Sequence, residues 1–220
     1  MKGLLYKDFL MAWKYCRLYL LITIVFFALY LFVKDYWFFA MYPGILFAMV
    51  PVNLLAYDEY SLWKIYGQTL PISKTQLVSA KYLVGLVPIV GLTVLVSIAY
   101  SVKAVFQQSF SWGELGLLAF LVFFVPILFS AISTPAVFKY GVEKGRILSL
   151  AVIGGVCAIS VIYNVFLRDF FTVSMPVLTP AVLGIIGALI LAIYVLSWKL
   201  SILFFEKNVF YQNKSLFSKK

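Results

Sequence analysis

The chain has 220 residues, of which 64% are apolar, 19% aromatic and only 12% charged, with a formal net charge of +10. Soluble globular chains carry about a quarter charged residues, so this composition excludes that class and points to an integral membrane protein. The basic excess is spread over short segments between apolar stretches, which argues against a nucleic-acid-binding domain. With no His and two Cys, the sequence offers neither a disulfide framework nor ligands for a conventional zinc site.

The N-terminal segment 1–17 places Leu5, Phe9, Ala12, Trp13 and Cys16 on one helical face and Lys7, Lys14 and Arg17 on another. That pattern predicts an amphipathic interfacial helix; the alternative is that these residues are only the wetted first turns of the first span. A secretory signal also begins with basic residues, but the apolar run here ends in Lys34-Asp35-Tyr36 without a small-residue cleavage pattern. The first span is therefore expected to be retained.

Six apolar spans follow, at 18–33, 37–57, 83–102, 115–138, 147–167 and 177–198. Most are long enough to cross as helix, since about 20 residues cover roughly 30 Å of hydrocarbon. The first is short and could borrow a turn from the segment before it. Barrel strands would need about 10 residues of alternating polarity, which no span shows. The predicted fold is an all-α integral membrane protein with six transmembrane helices, forming a single domain over 1–220. Cys16 and Cys157 are expected at different membrane depths, hence unpaired.

The longest segment between spans is 58–82. Tyr57, Tyr60, Trp63 and Tyr66 recur at every third residue, and Gly67 follows where a helix would take a left-handed C-terminal residue. After Pro71, Ser73-Lys74-Thr75-Gln76 fits a capping box, so a second helix is expected to start there. Three Tyr and a Trp beside two acids read as a surface made to be covered, against the alternative of a solvated connector.

Lys and Arg orient the bundle. Lys2, Lys7, Lys14 and Arg17, then Lys64, Lys74 and Lys81, then Lys139, Lys144 and Arg146, and finally Lys199, Lys207, Lys214, Lys219 and Lys220 fall on one side. The other side holds Lys34, Lys103 and Arg168. By the positive-inside rule, both termini, the 58–82 segment and the basic tail 199–220 are expected in the cytoplasm.

The expected spans contain no acid, base or His of the kind that ion-coupled carriers place in the membrane. Their polar residues, among them Asn53, Thr93, Ser97, Ser130, Ser133, Thr134, Ser160 and Asn164, read as helix-packing groups bonded to their own backbone. Ala151, Gly154, Gly155 and Ala158, with Gly184 and Ala188, predict close helix packing. Pro51, Pro126 and Pro135 permit kinks, and 168–180 is either a re-entrant segment or an ordinary loop.

No phosphate loop and no G-x-S-x-G nucleophile motif occurs. A nucleotide-hydrolysing domain needs on the order of 100 residues, far more than the longest aqueous segment provides. Any ATP used must be hydrolysed by another chain, so neither a catalytic site nor a cofactor is expected here.

Several stretches together carry a resemblance: Met1-Lys-Gly-Leu-Leu-Tyr-Lys-Asp8, Tyr57-Asp58-Glu59 with Leu70-Pro71-Ile72-Ser73 and Ala80-Lys81-Tyr82, and Phe138-Lys-Tyr-Gly-Val-Glu-Lys-Gly-Arg146. In their order and topology they resemble type-2 ATP-binding-cassette (ABC) exporter permeases, of the small six-span bacterial group that exports toxic or antimicrobial amphipathic peptides such as phenol-soluble modulins. The resemblance implies a coupling helix that docks in a groove of an ATPase subunit, here carrying Asp58, Glu59, Tyr60, Trp63, Lys64, Tyr66 and Gly67. It implies a second cytoplasmic contact at Lys139, Glu143, Lys144 and Arg146. It also implies a bacterial plasma-membrane location, pairing as a homodimer or with a sister permease, and ATP and Mg held by the partner ATPase. A secondary carrier or channel without an ATPase is the competing reading, and an intramembrane enzyme a third.

Overall fold

A computed structural model describes residues 2–32, 37–61, 63–67, 71–106, 108, 110–162 and 180–217. These residues form α1 (Lys2–Tyr15), α2 (Arg17–Phe32), α3 (Trp37–Ala48), α4 (Val50–Tyr60), α5 (Trp63–Tyr66), α6 (Lys74–Phe106), α7 (Trp112–Tyr140), α8 (Val142–Ile162) and α9 (Pro180–Phe217), with no strand among them. Four helical stretches are long and apolar enough to span a membrane: Phe39–Tyr60, Lys74–Phe106, Trp112–Tyr140 and Pro180–Lys207. The pair α1 and α2, bent by 65°, makes a fifth if it is one span. The described residues therefore give four or five spans where the sequence predicts six. Most of the expected span 147–167 falls in α8, and the rest of it lies outside the described residues, as do Asn164, Arg168 and nearly all of 168–180.

α7 is the central helix, packed against α3, α6, α8 and α9. Its two prolines do not interrupt it, and one of them seats a neighbour: a Cβ on Gly44 of α3 would lie 2.6 Å from Pro126 Cγ. Pro51 behaves differently. Without an N–H it cannot bond to the preceding turn, and the helix breaks just before it, at Met49 between α3 and α4. Gly85 of α6 makes room for the Pro51 ring. Glycine at these two positions lets ring and backbone meet.

Among the described residues, the glycines expected to pack closely have no close neighbour. Gly154, Gly155 and Gly184 have nothing within 4 Å among the described residues, whereas Gly44, Gly85, Gly145 and Gly187 sit against Pro126, Pro51, Val137 and Phe124. The intramembrane hydroxyls follow expectation more closely. Thr93, Ser97 and Ser133 donate to the carbonyls of Ile89, Thr93 and Phe129, each four residues back. A second set pins α9: Tyr82 Oη lies 2.8 and 2.7 Å from the hydroxyls of Ser197 and Ser201, and Ser197 donates to the Ala131 carbonyl of α7.

Gly44→Ala is expected to lower the thermal unfolding temperature in detergent, because overpacking a tight contact costs roughly 1–3 kcal/mol. Gly154→Ala, which meets open space, should match the parent or exceed it slightly, helical Gly being disfavoured by about 0.5–1 kcal/mol relative to Ala. Equal behaviour of the two variants would contradict the packing described.

Candidate functional site

The site is built where α4 ends, α5 turns and α6 begins. The capping box forms as its sequence predicts: Ser73 N donates to Gln76 Oε1, and Gln76 N donates to Ser73 Oγ, each at 3.2 Å. The expected helix over 58–67 is in two pieces, because α4 stops at Tyr60 and α5 is a separate turn of four residues. Gly67 does end that turn, its N–H donating to Trp63 O at 2.7 Å. It is not left-handed, since the positive-φ glycine among the described residues is Gly141. Smallness is what Gly67 supplies: a Cβ there would lie 3.1 Å from the Trp63 carbonyl oxygen and 3.6 Å from the indole nitrogen.

The break divides the aromatic series. Tyr60 is 92% exposed and Tyr66 57%, while the Tyr57 ring stacks on Tyr15 at 3.9 Å. Trp63 turns inward, with its indole nitrogen buried and Lys7 Nζ 4.1 Å above its ring. Trp63, partly buried, makes a cation–π contact and forms a wall beside Asp58, Gly67, Lys81 and Phe138.

Beneath α5 lie four charges. Lys81 Nζ donates to Asp8 Oδ1 at 2.8 Å and also pairs with Asp58. Lys7 Nζ donates to Asp58 Oδ1 at 2.9 Å and lies 3.1 Å from Asp8 Oδ1. Asp8 is fully buried, and Asp58 and Lys81 nearly so. Two acids and two bases cancel, which is the condition under which such a cluster can be buried. It joins α1, α4 and α6. Asp58, expected on the coupling surface, faces this cluster instead. Asp58 and Lys81 belong to the helices Phe39–Tyr60 and Lys74–Phe106, just outside the expected spans 37–57 and 83–102. Asp8 and Lys81 escaped the sequence-based site. The signal was an acid at Asp8, one helical turn from Leu4 and Leu5 and within the apolar face, where a charge needs a partner.

Beside this cluster the two expected cytoplasmic contacts meet. Glu59 and Tyr60 of α4 face Tyr140, Glu143 and Lys144 across a groove of about 410 Å³. Glu59 Oε2 accepts from Val142 N at 3.3 Å, which ties the end of α4 to the α7–α8 corner. Gly141 turns that corner at φ 84 and ψ 172, a region essentially reserved for glycine. The remaining predicted residues point elsewhere. Lys139 lies over the Tyr140 and Phe204 rings, and Arg146 donates to Asn53 Oδ1 at 3.3 Å. Asn53 in turn donates to Tyr19 Oη at 2.6 Å, so it bridges helices where its own backbone was the expected partner. Lys64 is on α5, with its side chain outside the described set.

A family model described as "ABC-2 family transporter protein" matches residues 3–206. No curated protein and no solved structure matches.

Lys81→Ala is expected to destabilise the protein by about 3–5 kcal/mol, the usual cost of removing one partner of a buried pair. Adding Asp8→Ala should restore part of that loss, with a coupling energy of roughly 0.5–3 kcal/mol. Additive losses in thermal or denaturant unfolding would contradict a coupled cluster.

Proposed function

The chain belongs to the ABC-2 transporter family, and on that premise we propose that it is the membrane-spanning permease of an ATP-driven exporter, coupled to a separate cytoplasmic ATPase. Members of this family are membrane transport components and normally pair with an ATPase subunit. The observation that carries the proposal is the groove that brings Glu59 and Tyr60 together with Glu143 and Lys144; Tyr66, on α5, is exposed as well. Mixed charge around exposed aromatic rings suits a protein partner, because aromatics supply anchors and rim charges set register and association rate.

In this reading the α5 end is cytoplasmic, as are both termini, and the membrane is the bacterial plasma membrane. The ATPase, which holds ATP and Mg, contacts Tyr60, Tyr66, Glu59, Glu143 and Lys144. Closure of two ATPase subunits pushes on the short α5. The charges beneath it link that push to α1 and α6, so the three helices move as one body rather than bending locally. A second copy of the chain, or a sister permease, completes the pathway. The cargo is an amphipathic peptide or another apolar molecule, a choice supported by the Phe-rich composition and by the small bacterial permeases that the sequence resembles.

Tyr60→Ala should weaken ATPase association by about 2 kcal/mol or more, as truncation of an interface anchor does, which is roughly thirtyfold. Its unfolding temperature should not change, since the side chain is almost fully exposed. Trp63→Ala should lower both association and stability, because it removes the support beneath Lys7 and Gly67. Normal ATPase binding by Tyr60→Ala and Tyr66→Ala alike would exclude this end as the docking site.

Transport in inside-out vesicles is expected to need ATP and the ATPase, and to persist when a protonophore collapses the proton gradient. Transport driven by an imposed ion gradient without an ATPase would establish a secondary carrier instead.

A further inference from the structure

Between α4 and α5 the chain breaks where its own chemistry supplies no cause. Residues 58–66 contain neither Gly nor Pro, and sharp helix breaks ordinarily trace to one of those or to a bulge. Pro51 is such a cause for the break between α3 and α4; nothing comparable follows Tyr60. Ser61, which closes α4, has φ −84 and ψ 5 and donates its N–H to Tyr57 O at 2.9 Å, close to helical geometry. Local sequence and structure therefore disagree here, the mark of a segment whose conformation is imposed by tertiary contacts.

The contact that imposes it is made by Trp63. Its ring takes Lys7 Nζ at 4.1 Å, but the same position buries the indole N–H, which makes no hydrogen bond. Nearly every buried donor has an acceptor, and leaving one unmet costs on the scale of what a cation–π contact returns. The inward position is thus opposed by an effect about as large as the one that supports it. The alternative is a helix that continues past Ser61. A helix turns about 100° per residue, so Trp63 would then stand about 60° around the axis from Tyr60 on one side and Tyr66 on the other. Both of those rings are exposed, and the indole N–H between them would meet solvent. We infer that 58–67 is a two-state switch: broken, with Trp63 inward against Lys7, or continuous, with Trp63 outward between Tyr60 and Tyr66. The cluster of four charges is common to both states, so only α5 moves. That docking of the ATPase selects the outward state rests on the function proposed above; the switch itself belongs to this chain alone.

The test uses the full chain in lipid nanodiscs with 5-fluorotryptophan incorporated, the Trp63 signal being assigned by its loss in Trp63→Phe. Fluorine saturation-transfer NMR, which detects minor states, counts the Trp63 environments, and the shift between light and heavy water marks the solvated one. The outward population should be higher in Ser61→Ala than in Ser61→Gly, by up to about fivefold, the helix-propensity difference between Ala and Gly. Ser61 is exposed, so neither change disturbs packing. Gly67→Ala should raise the outward population too, because a Cβ there would lie 3.1 Å from the Trp63 carbonyl oxygen and 3.6 Å from the indole nitrogen of the inward state. The ATPase that co-purifies with the chain should bind Ser61→Ala more tightly than Ser61→Gly in the same proportion, since apparent affinity scales with the population of the competent state. A single Trp63 environment in the parent and in every variant would overturn the switch, as would equal populations in the two Ser61 variants. Populations that differ without any difference in ATPase affinity would overturn its part in docking, and the Tyr60 and Tyr66 variants would still decide the docking site.

Discussion

Four charges at one end of the bundle, three of them buried and Lys7 partly so, set the terms for everything near them. Asp8, Lys81, Asp58 and Lys7 come from three separate stretches of the chain, and none can be buried without the others, because an unpaired charge in an apolar interior costs several kcal/mol. The cluster therefore fixes the docking of α1 against α4 and α6. Lys7 also carries the indole of Trp63 beneath it, so the same cluster places α5. Ion pairs of this kind are weak evidence for added stability. Their geometric demand is stronger, since any relative slide of the three helices must separate opposite charges in a poorly solvated site.

Away from that end the bundle is held by shape and hydroxyls. Pro126 in Gly44's cleft and Pro51 against Gly85 bring α7 to α3 and α6 to α4 with little room to adjust. Tyr82, bonded to Ser197 and Ser201, pins α9 to α6, and Trp198 Nε1 adds a bond to Ser79 Oγ at 3.0 Å. In hydrocarbon such close contacts and interhelical hydrogen bonds take the place of a hydrophobic driving force between helices. The end of the bundle at α5 is thus backed by close contacts between α6 and α9.

Features encoded within a few residues were legible in the sequence. The Ser73–Gln76 box, the stop at Gly67, the break at Pro51 and the back-bonding hydroxyls all follow from local backbone chemistry. Features that depend on which helix is the neighbour were not. Every-third spacing put Trp63 with Tyr60 and Tyr66, but the break after Tyr60 rotates it inward, and no pattern of period three carries that rotation. The small-residue stripe of α8 looked like a packing face, yet among the described residues the close contacts are at Gly44, Gly85, Gly145 and Gly187, two of them opposite prolines. Asp8 was visible as a charge among apolar residues, although its partners, Lys81 and Asp58, lie far off in sequence and only the fold selects them.

The central claim is that the charge cluster keeps α1, the end of α4 and the start of α6 together as one unit while the transporter works. Spin labels at Tyr6 on α1 and Thr75 on α6, both exposed, report on that unit in the proposed complex with an ATPase. Pulsed dipolar distances should give a single narrow distribution that is the same without nucleotide and with ATP trapped, and that broadens when Lys81 is replaced by Met. A parent distribution that shifts or splits when ATP binds would mean that α1 and α6 part during the cycle, and would contradict the account.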